Sequence, residues 1–258
     1  MEQKAFKDNF SQQSDLYVKY RPLYPRELYA YLSSLTNEHQ LAWDCGTGNG
    51  QSAIGLAEFY DNVIATDPSQ QQIQNAISNE KVKYVVEKAE NNSIESNSID
   101  LITIANALHW FDFDLFYKEA NRVLKSNGII AAWAYGIPKI STEVDEILNQ
   151  FHYGTLDDYW LPENRLVEKE YTTIPFPFEE ISTSQFYYEK AMNLDGLIGY
   201  LNTWSATQRF INKKNYNPTE ALFHQLRQVW KDSSSKKILR WDLILKVGKV
   251  NRSLEISP

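Results

Sequence analysis

Apolar positions along the chain follow two alternating rhythms. Leu41–Asp44, Val63–Asp67, Val82–Val86, Ser98–Ile104 and Ile129–Ala134 are short runs dense in apolar and β-branched residues, which reads as buried strands. Between them the spacing changes to three and four. Leu28, Tyr31, Leu32 and Leu35 share one side of a helix over 26–35; Ala53, Leu56, Ala57 and Tyr60 do so over 51–60; Phe113, Phe116, Tyr117, Ala120 and Leu124 form a third stripe. Strand and helix in alternation predict a parallel sheet with right-handed crossovers, an α/β fold with helices on both faces.

After Pro138 the rhythm breaks. Residues 141–153 read as a helix, 154–182 as an aromatic-rich, loop-rich insertion with Pro162, Pro175 and Pro177, 184–190 as a strand, and 193–210 as one helix. Trp241, Leu243, Leu245 and Val247 then alternate with Asp242, Lys246 and Gly248. That period of two predicts a half-exposed strand that closes the sheet antiparallel. The expected organisation is one domain: lid and helices over 1–35, a cofactor-binding core over 36–136, and a substrate-side insertion with closing strands over 137–258.

The first strand runs into Asp44-Cys45-Gly46-Thr47-Gly48-Asn49-Gly50 and then a helix. Glycines there permit positive φ and close approach of a ligand, and the helix start presents unpaired N–H groups. A dinucleotide loop would read Gly-x-Gly-x-x-Gly, yet Gln51 stands where its third glycine belongs. An acid at the loop, Asp44, suits a positively charged ligand better than a pyrophosphate. Asp67 follows at roughly the 20-residue interval at which a second strand tip offers a carboxylate to ribose hydroxyls; Pro68 and Ser69 then open a helix. The segment after the fourth strand, Asn106-Ala107-Leu108-His109-Trp110-Phe111, falls at the carboxyl end of the sheet, where open α/β sheets bind ligands.

A net charge of −7 over 258 residues argues against a nucleic-acid groove. One cysteine, Cys45, permits no internal disulfide and suits a reducing compartment. Residues 1–13 lack the apolar centre of a signal peptide, and no run reaches the ~18 apolar residues of a membrane span. A soluble, cytoplasmic protein is expected, without a metal.

The Asp-x-Gly-x-Gly-x-Gly loop with Asp67 resembles the class I S-adenosylmethionine-dependent methyltransferases. Tyr20-Arg-Pro-Leu-Tyr-Pro25, the run from Asn106 to Phe111, Thr203-Trp-Ser205 and Arg240-Trp-Asp242 resemble the small-molecule subgroup that includes trans-aconitate methyltransferases. The resemblance implies a Rossmann-like seven-stranded sheet with its last strand antiparallel. It implies S-adenosylmethionine as cofactor, held by Asp44, Gly46, Gly48, Gly50, Asp67 and Pro68, with Ala89 and Glu90 beside the adenine. Asn106 and Ala107 would line the site, and Tyr17, Tyr20 and Arg21 would lie over it. The expected reaction is methyl transfer to a small molecule at a carboxylate or hydroxyl oxygen. His109 is the candidate base for a protonated acceptor, with a polar wall as its other reading. Trp110 and Trp204 are candidate walls, and Arg209 or Arg21 could orient a carboxylate. A non-catalytic S-adenosylmethionine-binding protein and an NAD-dependent oxidoreductase remain as alternatives.

Overall fold

The computed structural model describes residue 20 and residues 24–250. Within them the chain forms α1 (Arg26–Ser34), β1 (Leu41–Cys45), α2 (Gln51–Leu56), β2 (Asn62–Asp67), α3 (Gln70–Gln74), β3 (Val82–Val86), β4 (Ile99–Ala105), α4 (Phe113–Val123) and β5 (Leu124–Tyr135). Then come α5 (Thr142–Gln150), α6 (Asn164–Glu168), β6 (Glu179–Glu180), β7 (Tyr187–Met192), α7 (Leu194–Asn202), α8 (Ser205–Lys214), α9 (Thr219–Trp230) and β8 (Lys237–Lys249).

The sheet runs β3-β2-β1-β4-β5-β8-β6, and β7 also pairs with β8. The first five strands in that order are parallel, and β8 is antiparallel to β5, with Ile129 opposite Lys249 and Tyr135 opposite Leu243. This is the expected seven-stranded plan with one extra short strand. β6 and β7 take opposite ends of the free edge of β8, so one strand position is split in two. β7 begins at Tyr187, a little later than the apolar run suggests.

Alternate residues of the central strands go to opposite faces. Ala42, Leu101, Ala131 and Trp133 face one core, covered by α1, α2, α5, α7 and α9. Trp43, Ile102, Ile130 and Ala132 face the other, covered by α4. Burial on both faces is why these strands read as continuous apolar runs. Among the described residues no helix is long and apolar enough to cross a membrane.

The single helix expected over 193–210 is two. Thr203 ends α7, with its hydroxyl donating to the Tyr200 carbonyl at 2.6 Å, and Trp204 is extended (φ −70°, ψ 132°) before α8 begins. That break turns Trp204 into a cluster of rings with Tyr200, Trp160 and His152. α5 likewise does not simply stop. It runs into a π-turn over Phe151–Thr155, closed by Leu156 N donating to Phe151 O at 2.9 Å. Such turns re-aim side chains and recur at functional sites.

Candidate functional site

The carboxyl ends of β1, β2 and β4 converge on one cavity of about 1420 Å³. The glycine loop forms its floor. Gly46 N and Thr47 N both donate to Thr66 O at 2.9 Å, pinning the loop to β2. Gly46, Gly48 and Gly50 all have positive φ, at 69°, 56° and 90°. A Cβ on Gly46 would lie 2.7 Å from that of Ala107, whereas one on Gly48 would meet nothing within 4 Å. Gly46 thus allows the close packing of two loops, and Gly48 opens its backbone to a ligand.

Asp67 stands at the tip of β2 and lines the cavity. Its Oδ1 accepts from Ser69 N at 2.8 Å and its Oδ2 from Gly48 N at 2.9 Å, so one carboxylate ties the loop to the second strand. Ser69 caps the helix that follows, its side chain accepting from Gln72 N. Pro68, Ala89 and Glu90 continue the lining, with Glu90 held by the backbone N–H of Asp112 at 2.9 Å. Asn106 turns the chain after β4 in the left-handed region, φ 55°, a conformation asparagine tolerates better than most residues. It and Ala107 line the cavity beside the loop.

Asp44 is placed differently from its expected position at the loop mouth. It is fully buried and is not part of the cavity lining. Thr103 donates its hydroxyl to one oxygen at 2.7 Å and Thr47 to the other at 2.5 Å. Burial pushes its carboxyl up, and the threonine hydroxyls pull against that. The chain turns into the loop with Asp44 underneath, so this side chain shapes the loop from below. Gly50 also lies outside the lining; it caps α2. Tyr20 packs on α7, where a Cβ at Gly199 would come within 2.5 Å of its ring. Tyr17 and Arg21 lie outside the described residues. Arg209 is half-buried behind Ser205: its Nη1 donates to Tyr159 O at 3.1 Å and to Ser205 Oγ at 3.3 Å. Ser205 lines the cavity and Arg209 does not.

His109, Trp110 and Trp204 all line the cavity. His109 is only 4% exposed, and its ring meets Trp110 at 4.9 Å. Its Nδ1 lies 2.8 Å from the hydroxyl of Tyr171. Tyr171 is fully buried, and a buried phenol must donate its proton. Nδ1 is its one acceptor among the described residues, so Tyr171 donates, and neutral His109 carries its hydrogen on Nε2. The hydrogen-bonding group the ring has left is then the N–H at Nε2 rather than a lone pair. Tyr171 escapes sequence reading because it lies in the irregular insertion, held by a positive φ of 56°.

Burial lowers the pKa of His109 to about 3, with Glu163 opposing. The unfolded chain, with histidine near ~6.5, binds the extra proton between those values. The contribution of His109 to stability is thus complete above pH ~6.5 and lost as pH falls, by about 2 kcal/mol at pH ~5. Denaturant unfolding of wild type and His109→Gln across that interval checks this. The variant should lose less stability by that amount, and parallel curves would show that His109 is not held neutral.

The charged groups lining the loop end are three carboxylates, Asp67, Glu90 and Asp112, and one cation, Lys88. That balance fits a ligand with ribose hydroxyls and positive charge and does not fit a pyrophosphate. A profile of the methyltransferase domain matches residues 43–132. A protein named as a methyltransferase in Dictyostelium discoideum is 36% identical over 239 residues, spanning 90% of this chain and 91% of the relative. CRG1 of Saccharomyces cerevisiae, named for S-adenosylmethionine-dependent methyl transfer, is 26% identical over 153 residues, 55% of this chain and 52% of its own. The solved structure of a type II methyltransferase from Anaeromyxobacter dehalogenans matches with a TM-score of 0.83 at 35% identity, over 89% of this chain and 97% of that one. With this loop, this sheet order and these relatives, the chain belongs to the class I S-adenosylmethionine-dependent methyltransferases, enzymes whose cofactor is S-adenosylmethionine.

Proposed function

We propose that the acceptor is a small molecule methylated on oxygen, in a reducing, cytoplasmic setting that the lone Cys45 suits. The observation that carries this is the continuity of one cavity from the glycine loop to the aromatic wall of Trp110, Trp160 and Trp204. Such a cavity has the size of a cofactor plus a small partner. The cofactor supplies an electrophilic methyl carbon on a sulfonium. The protein's part is to position the partners and exclude water.

In this reading Asp67 takes the ribose hydroxyls, the open backbone at Gly48 lies against the amino-acid end, and Ala89 and Glu90 border the adenine. Asn106 and Ala107 support the loop side, and Asp44 acts through the loop it holds. Gly46 and Gly50 give that loop its shape. His109 donates its Nε2–H to a lone pair of the acceptor, and Trp110 and Trp204 wall the pocket. Tyr17, Tyr20 and Arg21 are proposed to cover the cofactor, with 36–136 as the cofactor-binding core and 137–258 as the acceptor side. Of the two oxygen classes a hydroxyl fits better: Arg209 stands outside the cavity, and the cations lining its far side, Lys139 and Arg240, are both paired with Asp242, while Arg21, the other cation expected for a carboxylate, lies outside the described residues.

Thermal unfolding with S-adenosylmethionine, its demethylated product and NAD gives the first measurement. Saturation at about 100 times the dissociation constant adds roughly 2.7 kcal/mol, which raises the midpoint by about 5–10 °C. The first two ligands should shift it and NAD should not. Labelled methyl transfer to small alcohols, phenols and carboxylic acids, against protein and RNA, then tests the acceptor class. Labelling of macromolecules alone would sink the small-molecule reading.

A further inference from the structure

His152 stands on the π-turn that extends α5, and its ring lines the same cavity. Its Nε2 lies 3.0 Å from Glu168 Oε1. Arg165 holds both oxygens of that carboxylate, at 2.8 and 2.9 Å, and is itself held by Asp157 Oδ1 at 2.7 Å. A carboxylate gripped by a guanidinium only accepts hydrogen bonds. Glu168 therefore fixes the hydrogen of neutral His152 on Nε2 and leaves a lone pair on Nδ1. His152 is 8% exposed, and among the described residues its buried Nδ1 has no hydrogen-bond partner. An orphaned buried acceptor costs about 1–3 kcal/mol. What it lacks is a donor, and a hydroxyl or phenol supplies one where a carboxylate does not. Trp160 and Trp204 hold the ring, at centroid distances of 4.6 and 5.5 Å.

The two histidines of the cavity thus have opposite polarity. His109 has its Nδ1 lone pair capped by Tyr171, and His152 has its Nε2–H capped by Glu168. We propose that His152, backed by Glu168, is the proton acceptor for a hydroxyl or phenol that this enzyme methylates. This rests on reading the aromatic end of the cavity as the acceptor site. Nδ1 is sealed from solvent in this structure, so the acceptor reaches it by parting the rings of Trp160 and Trp204 that hold it, and its O–H proton then passes to Nδ1. The oxygen forms its bond to the methyl carbon as the carbon–sulfur bond breaks, and that electron pair stays on sulfur. The imidazolium is stabilised by Glu168 and returns its proton to solvent as product leaves. The charged and titratable groups facing His152 are Glu168 and Arg165 from α6, Asp157 from the turn before α6 and Tyr153 from its own turn; the junction between α7 and α8 packs there through uncharged Trp204.

The test uses the full chain with S-adenosylmethionine and a panel of phenol, catechol and benzyl alcohol against benzoate and citrate. Wild type is expected to methylate the hydroxyl compounds. His152→Asn should lower their turnover about a hundredfold with cofactor affinity unchanged. Glu168→Gln, which leaves the ring in place, should lower it about tenfold and move the acidic limb of the rate profile to lower pH, because the lost carboxylate favoured the imidazolium. Nitrogen-15 spectra of the free protein give a readout without turnover: Nδ1 of His152 should be unprotonated and Nε2 protonated at neutral pH. The opposite tautomer, or hydroxyl methylation at wild-type rate by His152→Asn, overturns the proposal. Methylation of the carboxylates alone overturns it and leaves the small-molecule reading standing. No labelled panel member overturns both.

Discussion

Asp67→Ala is expected to weaken S-adenosylmethionine binding roughly a thousandfold. A carboxylate hydrogen-bonded to two ribose hydroxyls contributes about 1.5–3 kcal/mol per bond, so losing both costs about 4 kcal/mol, close to three decades of affinity. A second loss adds to it. Oδ2 of Asp67 accepts from Gly48 N, so alanine also releases the loop from β2 at the point where Gly48 opens to the cavity. Asp67→Asn retains one acceptor oxygen and should fall between the two. Calorimetric titration with the cofactor and with its demethylated product measures both variants. The product lacks the sulfonium but keeps the ribose, so it should lose affinity equally. A loss confined to S-adenosylmethionine would place Asp67 at the charge instead of the sugar. Without ligand both Asp67 variants should still fold, since the carboxylate sits at a strand tip and not in either core, with the alanine midpoint lowered by loss of the acceptor for Gly48 N and Ser69 N.

Much of this architecture is legible because the central strands are buried on both sides. Val82–Val86 is observed with the bounds its composition suggests, and the alternation at Trp241–Val247 marks the antiparallel strand at its proper place. The loop glycines are legible for a local reason: positive φ restricts the residue type. What composition hides is non-local. Asp44 reads as an acid at a loop mouth, and only the arrival of Thr103 from β4 shows it to be a buried acceptor. Thr203 and Trp204 break no helical rule of spacing, and the break between α7 and α8 comes from a side-chain hydroxyl competing for a backbone carbonyl. His152 is invisible in sequence because its chemistry depends on Glu168, supplied from a different helix. Arg209 shows the converse. Its charge reads as a partner for a carboxylate acceptor, but its guanidinium turns to the Tyr159 carbonyl.

The second large effect is expected where two loops touch. Gly46→Ala should destabilise the protein by about 3 kcal/mol. Holding a residue with a Cβ at φ 69° costs roughly 1–2 kcal/mol, and overpacking adds about 1–3 kcal/mol. The clash is with the Cβ of Ala107 at 2.7 Å and the ring edge of Phe111 at 3.2 Å. Ala107 has no rotamer to change, so relief requires one loop to shift. For a chain of this length the melting midpoint should fall by about 6–12 °C. Ala107→Gly removes the opposing methyl, so the double variant should recover about 1–2 kcal/mol relative to the sum of the singles while the backbone cost remains. Gly48→Ala is the control: it carries the backbone cost alone, because a Cβ there meets open space. It should lose about 1–2 kcal/mol of stability but more cofactor affinity than Gly46→Ala combined with Ala107→Gly, since its methyl enters the cavity. Additive losses in the pair would mean that a Cβ at position 46 does not press on Ala107, and the glycine at 46 would then serve the ligand alone.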